Sequence, residues 1–291
     1  MVYVFNYLDP MKVIVFLLLI STLFSAIGQI PEIGIVNDME QDSMLYAAGY
    51  RSLSESISKC FSPKNLTDTQ FTEKLKAIQK LRTRMVACNL FIPGEMKLVG
   101  PDLDEGSILV YTEQVFQRCQ KAKVGLIVWG SGGARRIPGG FSKEKAKDQF
   151  INIAGKVAVQ AKKYDVVLAL ESLNRSETNF INTLAEALEI VKKVNHPNLK
   201  LNADFYHLRK ENEQPSVIEE AGGYIVHCEL AERDKRTPPG TMGDDFRAYL
   251  RALKNIHYKG RIMLECRWDN FAYQAISARS SLQQQLEDVF R

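Results

Sequence analysis

Two short apolar runs in this chain end in an acidic residue: Val166-Val167-Leu168-Ala169-Leu170-Glu171 and Leu199-Lys200-Leu201-Asn202-Ala203-Asp204. Between them, Thr183–Val194 carries apolar residues at the spacing of an amphipathic helix. A strand, a helix and a second strand in this order predict two parallel strands joined by a crossover helix.

The same pattern occurs eight times along the chain. A second helical stretch, for example, is predicted at Thr69–Leu81. Residues 29–291 come close to the ~250 positions typical of a (β/α)8 barrel, so we predict a single α/β domain of that fold. A doubly wound sheet is the alternative, but the first strand is not followed by the GxGxxG of a dinucleotide site. The predicted strands are Ile33–Asn37, Ser52–Ser58, Arg84–Leu90, Gly125–Gly130, Val166–Glu171, Leu199–Asp204, Tyr224–Leu230 and Arg261–Cys266.

The first 28 residues differ from the rest of the chain. Met11-Lys12 precedes the apolar run Val13–Ile20, and Ala26-Ile27-Gly28 places small residues before Gln29. This pattern predicts a signal peptide cleaved after Gly28, with Met11 as an alternative start. We therefore expect export to the periplasm or the medium and no stable membrane insertion after cleavage. An uncleaved anchor is the alternative.

Charge and cysteine content narrow the functional classes. The chain has 38 Lys and Arg against 34 Asp and Glu and lacks a long basic run, so the charge pattern of nucleic-acid binding is missing and we expect no nucleic-acid partner. The five cysteines have neither CxxC nor zinc-finger spacing, which predicts buried apolar side chains and no structural zinc site.

Acidic residues lie at the ends of four consecutive predicted strands: Glu171, Asp204, Glu229 and Glu265. In a (β/α)8 barrel these ends form the active-site rim. Carboxylates gathered there repel one another unless a cation holds them, so we predict a divalent metal site, although a single such acid would be read as a solvated loop residue. Oxygen ligands favour Mn²⁺ or Mg²⁺, and a neighbouring imidazole keeps Co²⁺ or Zn²⁺ open.

Several segments resemble the xylose-isomerase-like sugar phosphate isomerase/epimerase superfamily, over nearly all of residues 33–291. The resemblance implies a barrel enzyme that acts on a small-molecule sugar, and homo-oligomers are common in that group. The segments that carry it are Glu171–Arg175, Asp204–His207, His227–Glu232, Arg236–Gly240 and Glu265–Trp268, with Asn89–Gly94 and Gly130–Arg136 upstream.

Roles for individual residues follow from this resemblance. It implies that Glu171, Asp204, a seventh-strand residue and Glu265 bind one metal ion, and that Glu171 and Glu265 exchange protons with the substrate. It also implies that His207 and Arg236 contact substrate oxygens. A satisfied loop histidine and a solvated loop arginine are the respective alternatives.

The seventh strand departs from the family pattern. Family members often read His-x-His there, whereas this chain reads His227-Cys228-Glu229. Alignment on the following Leu-Ala-Glu favours Glu229 as the metal ligand, with His227 as the alternative. Both residues share one face of a strand, so either side chain could reach the metal.

The remaining site candidates are weaker. Asn89 and Glu55 are expected to line the pocket floor. Trp268 could stack on a sugar face or pack beneath the rim. Gly130-Ser131-Gly132-Gly133 is interpreted as a tight strand-to-helix turn in preference to a phosphate site.

The sequence thus predicts a metal-dependent sugar isomerase or epimerase, which abstracts a proton next to a carbonyl through a metal-stabilised enolate. Two alternatives stay open: a metal-dependent lyase or dehydratase of oxidised sugars, and a sugar-binding barrel that has lost catalysis. An apurinic-site endonuclease, which shares the barrel, is disfavoured because its three-zinc cluster uses about five histidines and this chain has four.

Overall fold

The computed structural model describes residues 29–291 and shows eight parallel strands that close into a barrel in sequence order. The predicted (β/α)8 fold is confirmed. The predicted signal peptide, residues 1–28, lies outside the described residues. The strands are β1 (Ile33–Val36), β2 (Ser52–Ser56), β3 (Arg84–Asn89), β4 (Leu126–Trp129), β5 (Val167–Glu171), β6 (Leu199–Asp204), β7 (Ile225–Leu230) and β8 (Ile262–Leu264).

Helices connect the strands and pack around the barrel. Short 3₁₀ turns occur at Met39–Gln41 and Gly222–Tyr224. Within residues 29–291, helices long and apolar enough to span a bilayer are absent. The helices are α1 (Asp42–Ala47), α2 (Ile57–Cys60), α3 (Asp68–Ile78), α4 (Glu105–Ala122), α5 (Gly132–Arg135), α6 (Lys143–Lys163), α7 (Leu184–Val194), α8 (Phe205–Lys210), α9 (Ser216–Ala221), α10 (Arg247–Asn255) and α11 (Phe271–Phe290).

A local capping signal explains where one predicted helix begins. The helix predicted at Thr69–Leu81 is α3, and it starts one residue earlier because Thr67 forms a capping box with Gln70. The Thr67 hydroxyl accepts from the Gln70 amide at 3.3 Å, while the Gln70 side chain accepts from the Thr67 amide at 2.9 Å. Such a cap satisfies amide groups that the first helical turn leaves without partners.

Seven of the eight predicted strands are shorter in the structure, by one to three residues, and the second and the eighth each lose two residues at the carboxyl end. The second strand, predicted to reach Ser58, ends at Ser56 because the chain turns directly into α2. The eighth, predicted as Arg261–Cys266, forms strand pairs only over Ile262–Leu264. Glu265 therefore follows the strand and does not close it.

The core fills the space between the barrel and its helices. The Trp129 ring lies 5.4 Å from the rings of both Phe91 and Phe150, and Phe150 lies 5.8 Å from Phe180. All four side chains are buried, and burial of one such side chain stabilises the fold by about 1.5–3 kcal/mol. This packing supports β4 and the loop that follows it, which form one wall of the site.

Candidate functional site

Strand register brings the predicted acids together. Glu171 pairs with Asn202 across β5 and β6, and Asp204 pairs with Glu229 across β6 and β7. Glu265 comes one residue after β8. One carboxylate oxygen from each of Glu171, Asp204, Glu229 and Glu265 lies within 4.8 Å of the others. The four carboxylates therefore form one cluster at the carboxyl ends of the strands.

Burial makes this cluster electrostatically costly. Glu171, Asp204 and Glu229 are buried, and Glu265 keeps 23% of its side chain exposed. Loss of hydration raises the pKa of all four carboxyl groups, and repulsion from neighbouring carboxylates adds to the rise at Glu171, Glu229 and Glu265. A protein that keeps several of these groups ionised must supply compensating positive charge.

Arg236 supplies part of that charge. Its guanidinium pairs with the Glu265 carboxylate, approaches Asp204 Oδ2 at 3.3 Å and lies 3.5 Å from Glu177 Oε1. Its Nε donates to the Glu265 carbonyl oxygen at 3.1 Å. The alternative of a solvated loop arginine is wrong, because only 16% of the Arg236 side chain is exposed and its guanidinium pairs with two acids of the cluster. One guanidinium still leaves the four-carboxylate cluster strongly negative.

The site fits a divalent cation on two further observations. Among residues 29–291, Glu229 Oε1 is a buried oxygen without a hydrogen-bond partner. Buried carboxylate oxygens left in this way are costly unless another group binds them. The four carboxylates also offer oxygen donors alone, which suits hard ions such as Mn²⁺ and Mg²⁺, while a ring nitrogen of His207 lies within 4.8 Å of Glu171 and Asp204 oxygens.

His227 and Glu229 both face the barrel interior, as their spacing predicted. His227 Nε2 lies 3.6 Å from Glu229 Oε1, beyond hydrogen-bonding distance, and is itself without a partner within the described part of the chain. Burial lowers the pKa of His227 to about 4. The four-acid group contains Glu229 and not His227, which favours Glu229 as the ligand.

Asn202 is a site residue that the sequence analysis did not single out. Its Nδ2 donates to Glu171 Oε1 at 2.9 Å and to Glu229 Oε2 at 2.7 Å. One amide therefore fixes two of the carboxylates. Its place in a predicted strand, two residues before Asp204 and on the same face, was the only signal in the sequence.

His207 lies beside Asp204 at the cavity wall. Its Nδ1 accepts from the Asn174 amide at 3.1 Å, so a neutral ring carries its proton on Nε2, which is 3.5 Å from Asp204 Oδ2. Burial lowers the pKa of His207 to about 3, which keeps the ring neutral. The alternative for His207 was a loop histidine that donates to a carbonyl oxygen. In the structure its ring instead accepts a hydrogen bond from the Asn174 backbone amide.

Of the remaining candidates, Asn89 lines the cavity, whereas Glu55 and Trp268 do not. Asn89 lines the cavity, and its Nδ2 donates to Glu265 Oε1 at 2.9 Å. Glu55 does not line the cavity floor as expected, because its carboxylate turns to accept the Met39 and Ser56 amides at 2.9 and 2.8 Å. Trp268 packs on Phe271 at 5.0 Å and is not among the cavity-lining residues, which supports its packing alternative.

The loop after β4 forms one side of the cavity. Gly130 lies against Glu171: a Cβ atom added at this glycine would be 2.5 Å from Glu171 Oε2. The following residues turn into α5 as the interpretation of a tight turn predicted, with Ser131 at a φ of 46°. Arg135 is fully buried behind this turn and donates to the carbonyl oxygens of Trp129 and Ile181 at 3.4 and 3.3 Å.

A buried carboxylate organises the loop that carries Arg236. Glu232 accepts from the backbone amides of Gly240, Met242, Gly243 and Asp244 at 2.6–3.3 Å. The Thr237 hydroxyl also donates to it at 2.8 Å. Glu232 opens the charged run Glu232–Arg236, yet the structure buries it completely.

Glu177 is the second residue that the sequence analysis missed. It lies in the loop after β5, lines the cavity and accepts from Asn174 Nδ2 at 3.1 Å. Because Asn174 also holds His207, the loop after β5 and the start of α8 form one hydrogen-bonded wall. Glu177 is six residues past its strand, and position alone could not place it in the cavity.

Comparison with known proteins gives partial alignments to curated enzymes. The L-ribulose 3-epimerase of Methylomonas sp. is 33% identical over 131 residues, 45% of either chain. The D-psicose 3-epimerase of Ruminiclostridium cellulolyticum is 30% identical over 172 residues, 57% of either chain. The chain spans about half the length of the curated relatives it matches.

Solved structures support the fold over a longer span. An L-ribulose 3-epimerase structure aligns with a TM-score of 0.76 at 20% identity, covering 89% of this chain and 95% of that one. The IolI protein with a bound zinc atom aligns with a TM-score of 0.69 at 19% identity, covering 89% and 98%. At these identities the likeness concerns the fold alone.

A family model described as the xylose isomerase-like TIM barrel matches residues 45–288, which include the strands and loops that carry the four acids. The barrel topology, the acid cluster and this match agree. The chain belongs to the xylose isomerase-like TIM barrel family.

Proposed function

We propose that this chain is a divalent-metal-dependent epimerase or isomerase of a sugar or keto-sugar, which moves a proton at a carbon next to a carbonyl group. The observation that carries the proposal is that Glu171 and Glu265 line one cavity as members of a single acid cluster. Two carboxylates on one substrate cavity can act as base and acid on one carbon or on neighbouring carbons. The ketose 3-epimerases among the curated relatives support the same class of reaction.

The metal would be held by the four carboxylates of the cluster. The missing partner of Glu229 Oε1 and the all-oxygen donor set support this assignment, with Mn²⁺ or Mg²⁺ favoured. When bound, a divalent ion supplies Lewis-acid polarisation of a carbonyl oxygen and its neighbouring hydroxyl. The solved IolI barrel with zinc supports a divalent ion in this fold. The ligands would be Glu171, Asp204, Glu229 and Glu265.

The two catalytic carboxylates have different surroundings. Arg236 pairs with Glu265 and favours its ionised form. Glu171 lacks such a direct pairing in the described chain and accepts its hydrogen bond from Asn202. We therefore assign Glu265 as the base that first removes a proton, and Glu171 as the acid that returns one.

Neighbouring residues would orient the substrate. The protonated Nε2 of His207 can donate to a substrate oxygen, since Nδ1 is already occupied by the Asn174 amide. Arg236 has its guanidinium at the cavity wall and can donate to a second oxygen. Asn89 fixes the other oxygen of Glu265, so that carboxylate keeps one orientation.

Deuterium exchange tests the reaction class. The chain would be incubated with Mn²⁺ in D₂O and a panel of free and phosphorylated ketoses and keto-sugars, and deuterium next to the carbonyl followed by NMR. We expect metal-dependent exchange with at least one sugar. Loss of water from the substrate would instead support the lyase alternative, and metal binding without any exchange would support the inactive sugar-binding barrel.

Variants test the residue roles. Glu171→Gln and Glu265→Gln should each lower the exchange rate by about 10²–10⁴-fold with unchanged melting behaviour. Glu189→Gln on the surface of α7 is the matched control and should exchange at the parent rate. Full activity in either cavity variant would refute the acid–base assignment.

Export through residues 1–28 is also part of the proposal, supported by the sequence pattern alone. The mass of the protein recovered from the periplasm or medium of its host should correspond to a chain that begins at Gln29. Recovery of the full-length chain in the membrane fraction would favour the uncleaved anchor.

A further inference from the structure

The cavity above the acids is larger than the cluster itself. It has a volume of about 520 Å³ and runs from the acids toward the loops after β2 and β3. We call the part formed by these loops the far end. The reacting end is lined by Glu171, His207, Arg236 and Glu265, and the far end by Ser58, Ser62, Asn65, Leu90, Glu95 and Tyr111.

The two ends lie on opposite sides of the barrel. Because the eight strands close in sequence order, β2 stands across the barrel from β6, and β3 across from β7. Strand spacing and tilt give such a barrel a diameter of roughly 15 Å. A pyranose ring with its exocyclic oxygens spans about 6 Å from ordinary bond lengths. The Asn89 side chain, at the end of β3, spans part of this width to reach Glu265, so the two ends form one continuous cavity.

The volume of the cavity exceeds that of one sugar ring. Liquid water provides about 30 Å³ for each non-hydrogen atom. Even at that loose spacing, a hexose with about 12 such atoms would occupy only about two thirds of the cavity. Covalently joined atoms pack more closely, so a second ring can be accommodated.

The far end has the chemistry of a neutral sugar site. The Ser58 hydroxyl, 2.9 Å from that of Ser56, and the Asn65 amide provide small polar groups beside the buried Tyr111 ring. A few polar groups among apolar surfaces are typical of small-molecule sites. The carboxylate of Glu95 lines this end and pairs with Lys64 at 2.7 Å, so this pair offers a phosphate group no free cation.

Leu90 adds a sign of functional constraint. It lines the cavity with 61% of its surface exposed, and its φ of 52° is one that residues other than glycine rarely adopt. It directly follows Asn89, which holds Glu265. An exposed apolar side chain in a costly backbone conformation is consistent with a surface that contacts the apolar face of a sugar ring.

We propose that the substrate is a glycosylated keto-sugar, with its reacting ring at the acids and a second, uncharged sugar ring at the far end. This inference rests on the proposed function. It names the substrate class: a keto-sugar that carries another sugar, in preference to a free or phosphorylated monosaccharide.

Matched substrate pairs test it. D-Fructose would be compared with isomaltulose, which is fructose bearing glucose on O6, and methyl 3-ketoglucoside with a 3-keto-maltoside. Deuterium exchange in D₂O with Mn²⁺ gives kcat/KM for each. We expect at least one two-ring substrate to exceed its one-ring partner by about tenfold or more, because binding of the remote ring stabilises the transition state.

Far-end variants locate the effect. Ser58→Phe, which fills the space, and Asn65→Ala should lower the two-ring to one-ring ratio of kcat/KM by about tenfold, with a melting curve that shows each variant folded. Asn255→Ala, an exposed asparagine on α10 that bonds Glu219, is the matched control and should leave the ratio unchanged.

The outcomes separate the two proposals. Exchange with one-ring substrates at equal or higher kcat/KM, or a ratio that the far-end variants do not change, overturns the glycoside inference and leaves the proposed function standing. An absence of exchange with all four substrates, under conditions where the protein binds Mn²⁺, overturns both.

Discussion

Gly130 is the position at which the smallest substitution should have the largest effect on the site. In Gly130→Ala the new Cβ would lie 2.5 Å from Glu171 Oε2, whereas ordinary contact begins at about 3.4 Å. The Leu173 side chain, at 3.4 Å, leaves little room for the backbone to retreat. The carboxylate must therefore move by about 0.9 Å or rotate away from Asn202.

A displacement of this size is sufficient to impair catalysis. Misplacement of a catalytic group by about 1 Å can cost about 10²-fold in rate, which corresponds to about 2.7 kcal/mol of transition-state stabilisation. The expected loss of folding stability is about 1–3 kcal/mol from overpacking. Gly139→Ala is the matched control, because a Cβ at that glycine would meet no atom within 4 Å.

Exchange kinetics and Mn²⁺ titration would be measured on both glycine variants beside the parent. Gly130→Ala should lose about 10²-fold in kcat/KM and bind Mn²⁺ more weakly, since Glu171 would serve both as the acid and as a metal ligand. Parent-level kcat/KM in a folded Gly130→Ala protein would refute the placement of Glu171 against this glycine.

Three further predictions concern charged side chains. Glu229→His should shift metal preference from Mn²⁺ toward Zn²⁺ or Co²⁺ in competition titrations, because an imidazole replaces a carboxylate oxygen; an unchanged preference would remove Glu229 from the ligand set. Arg135→Met should lower the unfolding free energy by about 2–3 kcal/mol in urea titration, because two buried carbonyls, those of Trp129 and Ile181, lose their donor. The pKa of His227 is lowered to about 4 by burial, so below pH ~6.5 the unfolded chain takes up a proton that the folded chain does not. The unfolding free energy should accordingly fall as pH drops from about 6.5 to 4, and in His227→Gln this fall should be smaller by about 2–3 kcal/mol; identical pH profiles would contradict the neutral, buried ring.

The parts of the fold that sequence could predict were those specified locally. The bounds of β6, Leu199–Asp204, are those predicted, because an apolar run with an acidic end is buried on both faces of a parallel sheet. The end of β8 was not predictable, because Cys266 and Arg267 leave the sheet through contacts with Leu230 at the end of β7 and Arg236 in the loop that follows.

In the site, too, some residues could be predicted from local sequence and others depend on tertiary contacts. Residues at strand ends, such as Glu171 and Asp204, follow from topology once the barrel is recognised. The choice between His227 and Glu229 does not, because both lie on one strand face and only the distances to the other acids separate them. Glu232 could not be predicted as buried, since its amide partners become neighbours only when the loop closes around it.

The loop held by Glu232 has a consequence for how the site can diversify. Four of its five donors are backbone amides, so the exposed side chains of Thr241 and Met242 take no part in the contact with Glu232. Gly240 and Gly243 have φ values of 87° and 80°, which favour glycine. Substitutions can therefore accumulate at Thr241 and Met242 while Arg236 keeps its position. Under the proposed function, substitutions in this loop can change substrate preference while the Arg236 guanidinium stays paired with Asp204 and Glu265.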